Sequence, residues 1–305
     1  MSATTHPGAA SRPSAPAHRS PTQLRLHAIR VGLRRGWHLC VLSLRNPEDL
    51  TFYLLWGGGM AVYLILNRNV VMDGTDLTLP TVALPGIMAA MLVFGGISGP
   101  GFSLVLERED GTLLRAKSAP YGMDGYVTAQ VVYQVFGALP MLVVLLVPSA
   151  FIIDDLMPRG AIGWVVIVGL IVLGFLATLP IGMIIGSLAR KPAHVSTWGL
   201  LPVLGLTLFS GVFGPVSNHA GWVQGLVQGF PTFWLGHLMR WTFLPDAAKE
   251  IELGGQWRLG PALLVLTAWA VVGLVLVPRV LRRMARRESG SAVEARMAER
   301  MQRVG

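Results

Sequence analysis

Charged side chains are scarce in this sequence. Asp, Glu, Lys and Arg make up 13% of its 305 positions, against about 25% in a typical soluble domain. Apolar residues account for 52%, so what remains cannot cover a water-exposed surface, and the composition is that of a protein solvated by lipid. A single cysteine, Cys40, excludes an intrachain disulfide. Its neighbours Leu39 and Val41 make it a packed side chain rather than a reactive thiol. Lysine is almost missing. None of Lys117, Lys191 and Lys249 follows a glycine, so there is no Gly-Lys-Ser/Thr loop to hold nucleotide phosphates. The seven histidines form neither a His-x-x-x-His pair nor a Cys/His cluster. His194, His219 and His237 read as interfacial or packed residues, and no metal, cofactor or catalytic group is expected.

What is present is organised by hydropathy. Residues 1–22 are rich in Ser, Ala and Pro and are expected to be a disordered tail. Residues 22–46 follow helical periodicity, with Leu26, Ile29, Leu33, Trp37, Cys40 and Leu44 on one stripe and Arg25, Arg34, Arg35 and Arg45 off it. A basic amphipathic helix with Trp on its apolar side suits a membrane interface. Six apolar stretches follow, at about 50–67, 82–106, 125–153, 161–189, 195–217 and 259–279, each near the ~20 residues needed to cross ~30 Å of hydrocarbon. Pro140 and Pro180 are candidate kinks in the two longest. Within these bounds there is no Asp, Glu, Lys or His, and the one Arg, Arg279, closes the last stretch at its inner edge, which argues against a transporter built on a buried ion or proton relay.

Charge also orients the chain. With the N-terminus inside, inner segments hold twenty basic residues and outer segments four, with Arg68 at a boundary. That bias predicts both termini in the cytoplasm. The net charge of +9 is therefore explained by lipid headgroups, and no nucleic acid partner is expected. Outer loops carry acids instead: Asp73, Asp76, Asp154, Asp155, Asp246, Glu250 and Glu252. Residues 218–258 are too apolar for a solvated loop. Trp222, Phe230, Phe233, Trp234, Trp241 and Phe243 alternate with Gly221, Gly225, Gly229, Pro231 and Gly236. The pattern predicts short broken helices dipping into the outer leaflet under the protection of protein. Phe230, Pro231, Phe233 and Trp234 are its candidate outer gate.

The loop after the second span reads Leu106-Glu107-Arg108-Glu109-Asp110-Gly111-Thr112-Leu113-Leu114-Arg115-Ala116-Lys117-Ser118-Ala119-Pro120. This run resembles the cytoplasmic signature of ABC-2-type export permeases, in which the second span ends in a Glu-Arg-Glu-x-Gly-Thr-Leu-like run followed by a basic stretch and a proline. The resemblance extends to the interfacial N-terminal helix, the six spans and the long apolar loop before the last. A second likeness fails. Gly96-Ile97-Ser98-Gly99 matches the serine motif of rhomboid-type proteases, but no histidine stands on the sixth span to activate it.

The resemblance implies an all-α integral membrane fold: an N-terminal interfacial helix, six transmembrane helices and a broken re-entrant element before the last. It assigns 23–284 to the transmembrane domain; 285–305, outside the resemblance, read as a cytoplasmic tail with a helix at 291–303. It implies a P-loop ATPase partner that binds the ATP, and a second permease copy or a paralogue. Glu107, Arg108, Glu109, Gly111, Thr112 and Leu113 would couple that ATPase to the spans, the acids pairing with its basic groups and Arg108 with its acidic ones. Spans two and five would meet the second copy, with Gly95, Gly96, Gly99, Gly101, Gly205 and Gly211 allowing close approach there or within one subunit. The expected activity is export of a hydrophobic drug or lipid-like substrate from a bacterial cell, as in daunorubicin-type drug-resistance permeases. The alternative is a non-transporting scaffold that anchors a cytoplasmic partner.

Overall fold

The computed structural model describes residues 20–72, 77–212 and 216–287. Most of the N-terminal tail, the loop acids Asp73 and Asp76, and the helix expected at 291–303 lie outside the described residues. Six helices are long and apolar enough to cross a membrane: Pro47–Leu66, Leu79–Glu109, Gly122–Ser149, Gly160–Leu188, Pro192–Gly211 and Leu259–Met284. They are called spans one to six. Among the described residues there is no strand, only an isolated bridge between Val71 and Thr78.

The N-terminal helix, Pro21–Ser43, begins at a capping box in which Ser20 and Gln23 satisfy each other's backbone N–H groups. Its buried residues are Ala28, Gly32, Gly36, Cys40 and Ser43. That small-residue row, not the predicted Leu/Trp stripe, packs on the protein. A Cβ on Gly32 would lie 2.3 Å from the carbonyl of Gly125, and one on Gly36 2.6 Å from that of Ala129. The helix therefore runs beside span three in the same direction, backbone to backbone. Leu26, Leu33, Trp37 and Leu44 point away and are exposed.

Span two has 31 residues and span four 29, about 45 Å of helix each, so both exceed the hydrocarbon layer. Gly57 of span one touches the carbonyl of Met141. Counting back along both helices, span three starts about 13 Å before span one. The N-terminal helix wraps this extension, at the end of the molecule called inner below. Span three breaks at Ala138, between Gly122–Gly137 and Leu139–Ser149, with Pro140 at the start of the second piece. Pro180 does not break span four. Its ring instead fills the space beside Gly273 of span six, where a Cβ would come within 2.5 Å.

Gly96, Gly99 and Gly101 pack within the chain, against Thr178, Gln134 and the Gly182 carbonyl respectively. Gly211 has φ +84°, where span five leaves helical geometry. Of the six glycines proposed for a seam, only Gly205 faces open space.

Residues 218–258 form broken helices, as expected. Gly221–Gln228 and Pro231–Phe243 make a hairpin with its turn at Gly229 and Phe230. The indole N–H of Trp269, ten residues into span six, donates to the Gly229 carbonyl at 3.0 Å, so the turn sits about 15 Å along that span. Leu235 fills the hollow left by Gly174 at the midpoint of span four. Apart from Trp241, every residue of Pro231–Phe243 is buried, the polar Thr232, His237, Arg240 and Thr242 included.

The backbone contact at Gly32 leaves no room for a side chain. Gly32→Leu is expected to lower stability by about 1–3 kcal/mol and to expose residues 20–43 to protease. Gly59→Leu, at a glycine with nothing within 4 Å, is expected to be near neutral. Thermal unfolding and limited proteolysis in detergent check both.

Candidate functional site

The inner end is built around the close of span two. The helix ends at Glu109, Asp110 caps it, and Gly111 follows at φ +70°. A left-handed residue after a helix cap is the usual place for glycine, so Gly111 turns the chain directly into the short helix Thr112–Ser118. Leu113, 2% exposed, roots that helix among Leu104, Met123, Tyr126, Val127 and Leu281. Thr112 is half-exposed, and Arg115 and Ser118, each three residues further on, are exposed.

Two of the proposed contact residues are bound within the chain. Arg35 of the N-terminal helix donates to Glu107 Oε1 at 3.1 Å, and its guanidinium lies 5.8 Å from the centre of the Tyr126 ring. Glu107 Oε2 is buried without a hydrogen-bond partner, so Arg35 is the cation that balances this carboxylate. Arg108 donates from Nη1 to the Ala189 carbonyl at 2.9 Å, capping the end of span four, where a cation is favoured. Glu107 and Arg108 tie span two to the N-terminal helix and to span four. Glu109 is half-exposed and makes no ion pair among the described residues. A further tie joins Arg25 to Asp124 at 3.0 Å.

At the outer end the hairpin holds a charge cluster that the sequence did not announce. Arg240 and Glu252 count among the outer-segment charges, yet each is 5% exposed, and His237 is fully buried. Glu252 Oε1 accepts from Arg240 Nε, and Oε2 accepts from Arg240 Nη2 at 3.2 Å. His237 Nε2 accepts the backbone N–H of Arg258 at 3.0 Å. The imidazole proton therefore sits on Nδ1 and is donated to Glu252 Oε2, 2.7 Å away. Arg240 Nη1 donates to the Gly211 carbonyl at 3.0 Å. Burial alone would raise the pKa of Glu252. The Arg240 charge and the hydrogen bonds from His237 and Arg240 outweigh it and hold the pKa down at about 2.

The same hairpin is bound on its other sides. Arg159, at the start of span four, donates to the Trp241 carbonyl at 2.6 Å and to Asp246 at 2.7 Å, and lies over the Trp241 ring. Arg258, just before span six, donates to Gln228 Oε1 at 3.1 Å and lies 5.2 Å from the centre of the Trp234 ring. Of the four gate candidates, Pro231, Phe233 and Trp234 are buried in the hairpin core. The Trp234 indole donates to the Gln228 carbonyl across the turn at 2.6 Å. Phe230 stacks on Trp269 with centroids 6.0 Å apart. The structure brings all four to one place, as the packing of the turn.

No curated protein matches the chain. A family model described as ABC-2 type transporter matches residues 50–244, from the first span to the end of the hairpin.

Removing one partner of a buried ion pair strands the other. Glu252→Gln is expected to cost about 3–5 kcal/mol, and Arg240→Met/Glu252→Gln less than that single change. Because the folded pKa is depressed, this carboxylate stabilises the fold fully above its ordinary value near 4.5, and that contribution fades as pH falls toward about 2. Unfolding measured against pH should show an acid step over that window that is reduced in Glu252→Gln.

Proposed function

The chain belongs to the ABC-2 type transporter family, and from that premise we propose that it exports a hydrophobic drug or lipid-like substrate, powered by ATP hydrolysed on a separate P-loop subunit. Membrane domains of this family lack ATPase activity of their own and work with an ATP-binding subunit. Residues 23–284 form the transmembrane domain in this reading, 1–22 and 285–305 are cytoplasmic tails, and the membrane is that of a bacterial cell. The basic inner segments support that orientation. A second copy or a paralogue completes the path, with spans two and five toward the seam.

The observation that carries the reading is the corner at Glu107–Leu113. Its motif has an ordered counterpart: span two turns at Gly111 into a helix rooted by Leu113. Force applied there reaches span four through Arg108 and the N-terminal helix through Glu107. Coupling is thereby divided. Glu107, Arg108, Gly111 and Leu113 make the corner rigid, while Glu109, Thr112 and the neighbouring Arg115 and Ser118 form the face offered to the ATPase. At the outer end, Phe230, Pro231, Phe233 and Trp234 hold shut the hairpin that closes the path. Charge-free stretches in the spans favour an apolar or amphiphilic cargo.

Purification from native membranes in mild detergent should recover a P-loop ATPase in near-equal amount. Its absence from an intact, folded chain would favour the scaffold reading. Arg115→Glu is expected to weaken that association. Arg35→Ala, which leaves Glu107 without its cation, is expected to keep the ATPase bound but lower transport per ATP hydrolysed.

A further inference from the structure

The hairpin is held unequally by the spans around it. On the sides of spans four and six it is held by the arginines that precede those spans and by the linker that leads from it into span six. Arg159 bridges to Trp241 and Asp246, Arg258 reaches Gln228, and Glu252 joins Arg240 and His237, whose ring receives the N–H that opens span six. On the side of span five two specific bonds hold it. The hydroxyls of Ser210 and Thr232 lie 3.0 Å apart, and Arg240 donates to the Gly211 carbonyl at 3.0 Å. The second falls at Gly211, where span five leaves helical geometry at φ +84°, and the first one residue before it.

Separating a buried ion pair strands charge in a poorly polarisable interior, whereas a hydroxyl or carbonyl contact has a small net value and can be replaced by water. An outer opening that breaks the cheaper contacts runs between the hairpin and span five. When Arg240 lets go of Gly211, its charge remains balanced by Glu252, so the release leaves no unpaired ion behind.

We propose that His237, Arg240 and Glu252 are positioning residues that keep the hairpin on spans four and six as one body, and that the outer path opens along the seam between this body and the end of span five. This rests on the reading of the chain as an ATP-driven permease. Gly211 acts as the hinge, and Ser210 and Thr232 are the closing contact.

The test uses the full chain with its co-purified ATPase in lipid nanodiscs. One cysteine pair, Ser210→Cys/Thr232→Cys, spans the seam. A second, Gly229→Cys/Trp269→Cys, joined by a short bifunctional maleimide, reports hairpin against span six. Cross-linking is compared without nucleotide and after trapping with ATP and vanadate. The expected result is a several-fold slower reaction of the first pair on trapping, with the second unchanged. In Glu252→Gln the second pair should also slow on trapping, a response that a purely structural role would not produce. His237→Asn, which keeps the Arg240–Glu252 pair, is the milder variant should that one not fold. Loss of the second pair with the first retained would overturn the proposal, as would no change in either while nucleotide is demonstrably trapped. Failure to trap nucleotide at all would overturn the permease reading itself, and this proposal with it.

Discussion

Hydrocarbon offers no partner to a peptide N–H or C=O, so every backbone group within the bilayer must be satisfied by the protein. The spans meet most of that demand within their own helices. The hairpin cannot, because its turn and helix ends leave several groups open. Its burial follows: Trp234 and Trp269 donate to the carbonyls of Gln228 and Gly229 at the turn, and Arg159 to that of Trp241 at the far end. Trp234 and Trp269 are hydrogen-bond donors on apolar bodies, the chemistry a buried turn needs.

Close helix approach is the second consequence of a lipid solvent. With no hydrophobic force to drive apolar helices together, contact depends on packing between small residues. Gly32 and Gly36 on span three, Gly182 on Ile97 of span two, and Gly273 on Pro180 are such contacts. They join the N-terminal helix to span three, and spans two, four and six to one another.

Ionic contacts are then placed where the frame ends. At the inner end, Arg35–Glu107, Arg25–Asp124 and the Arg108 cap bind helix termini together, beside a short helix whose outer face is free. At the outer end Arg240–Glu252, with His237, does the same for the hairpin. Both ends thus hold their helix termini with charged junctions.

The sequence by itself determined the number of spans, their approximate limits, the break at Pro140 and the broken hairpin, because hydropathy over ~20 residues and the exclusion of open backbone from lipid are local constraints. It also carried the Glu107–Leu113 corner, since Gly111 marks a left-handed turn that few other residues adopt. Three features were decided only by tertiary structure. The packed face of the N-terminal helix is Ala28–Gly32–Gly36–Cys40, because in lipid the large apolar side chains turn outward and the small ones inward, the reverse of the rule in water. Pro180 leaves its helix unbroken beside Gly273. Arg240 and Glu252 read as loop charges because their spacing of twelve residues matches no helical period. Only the folding of the hairpin onto spans five and six makes their burial, and their pairing, visible.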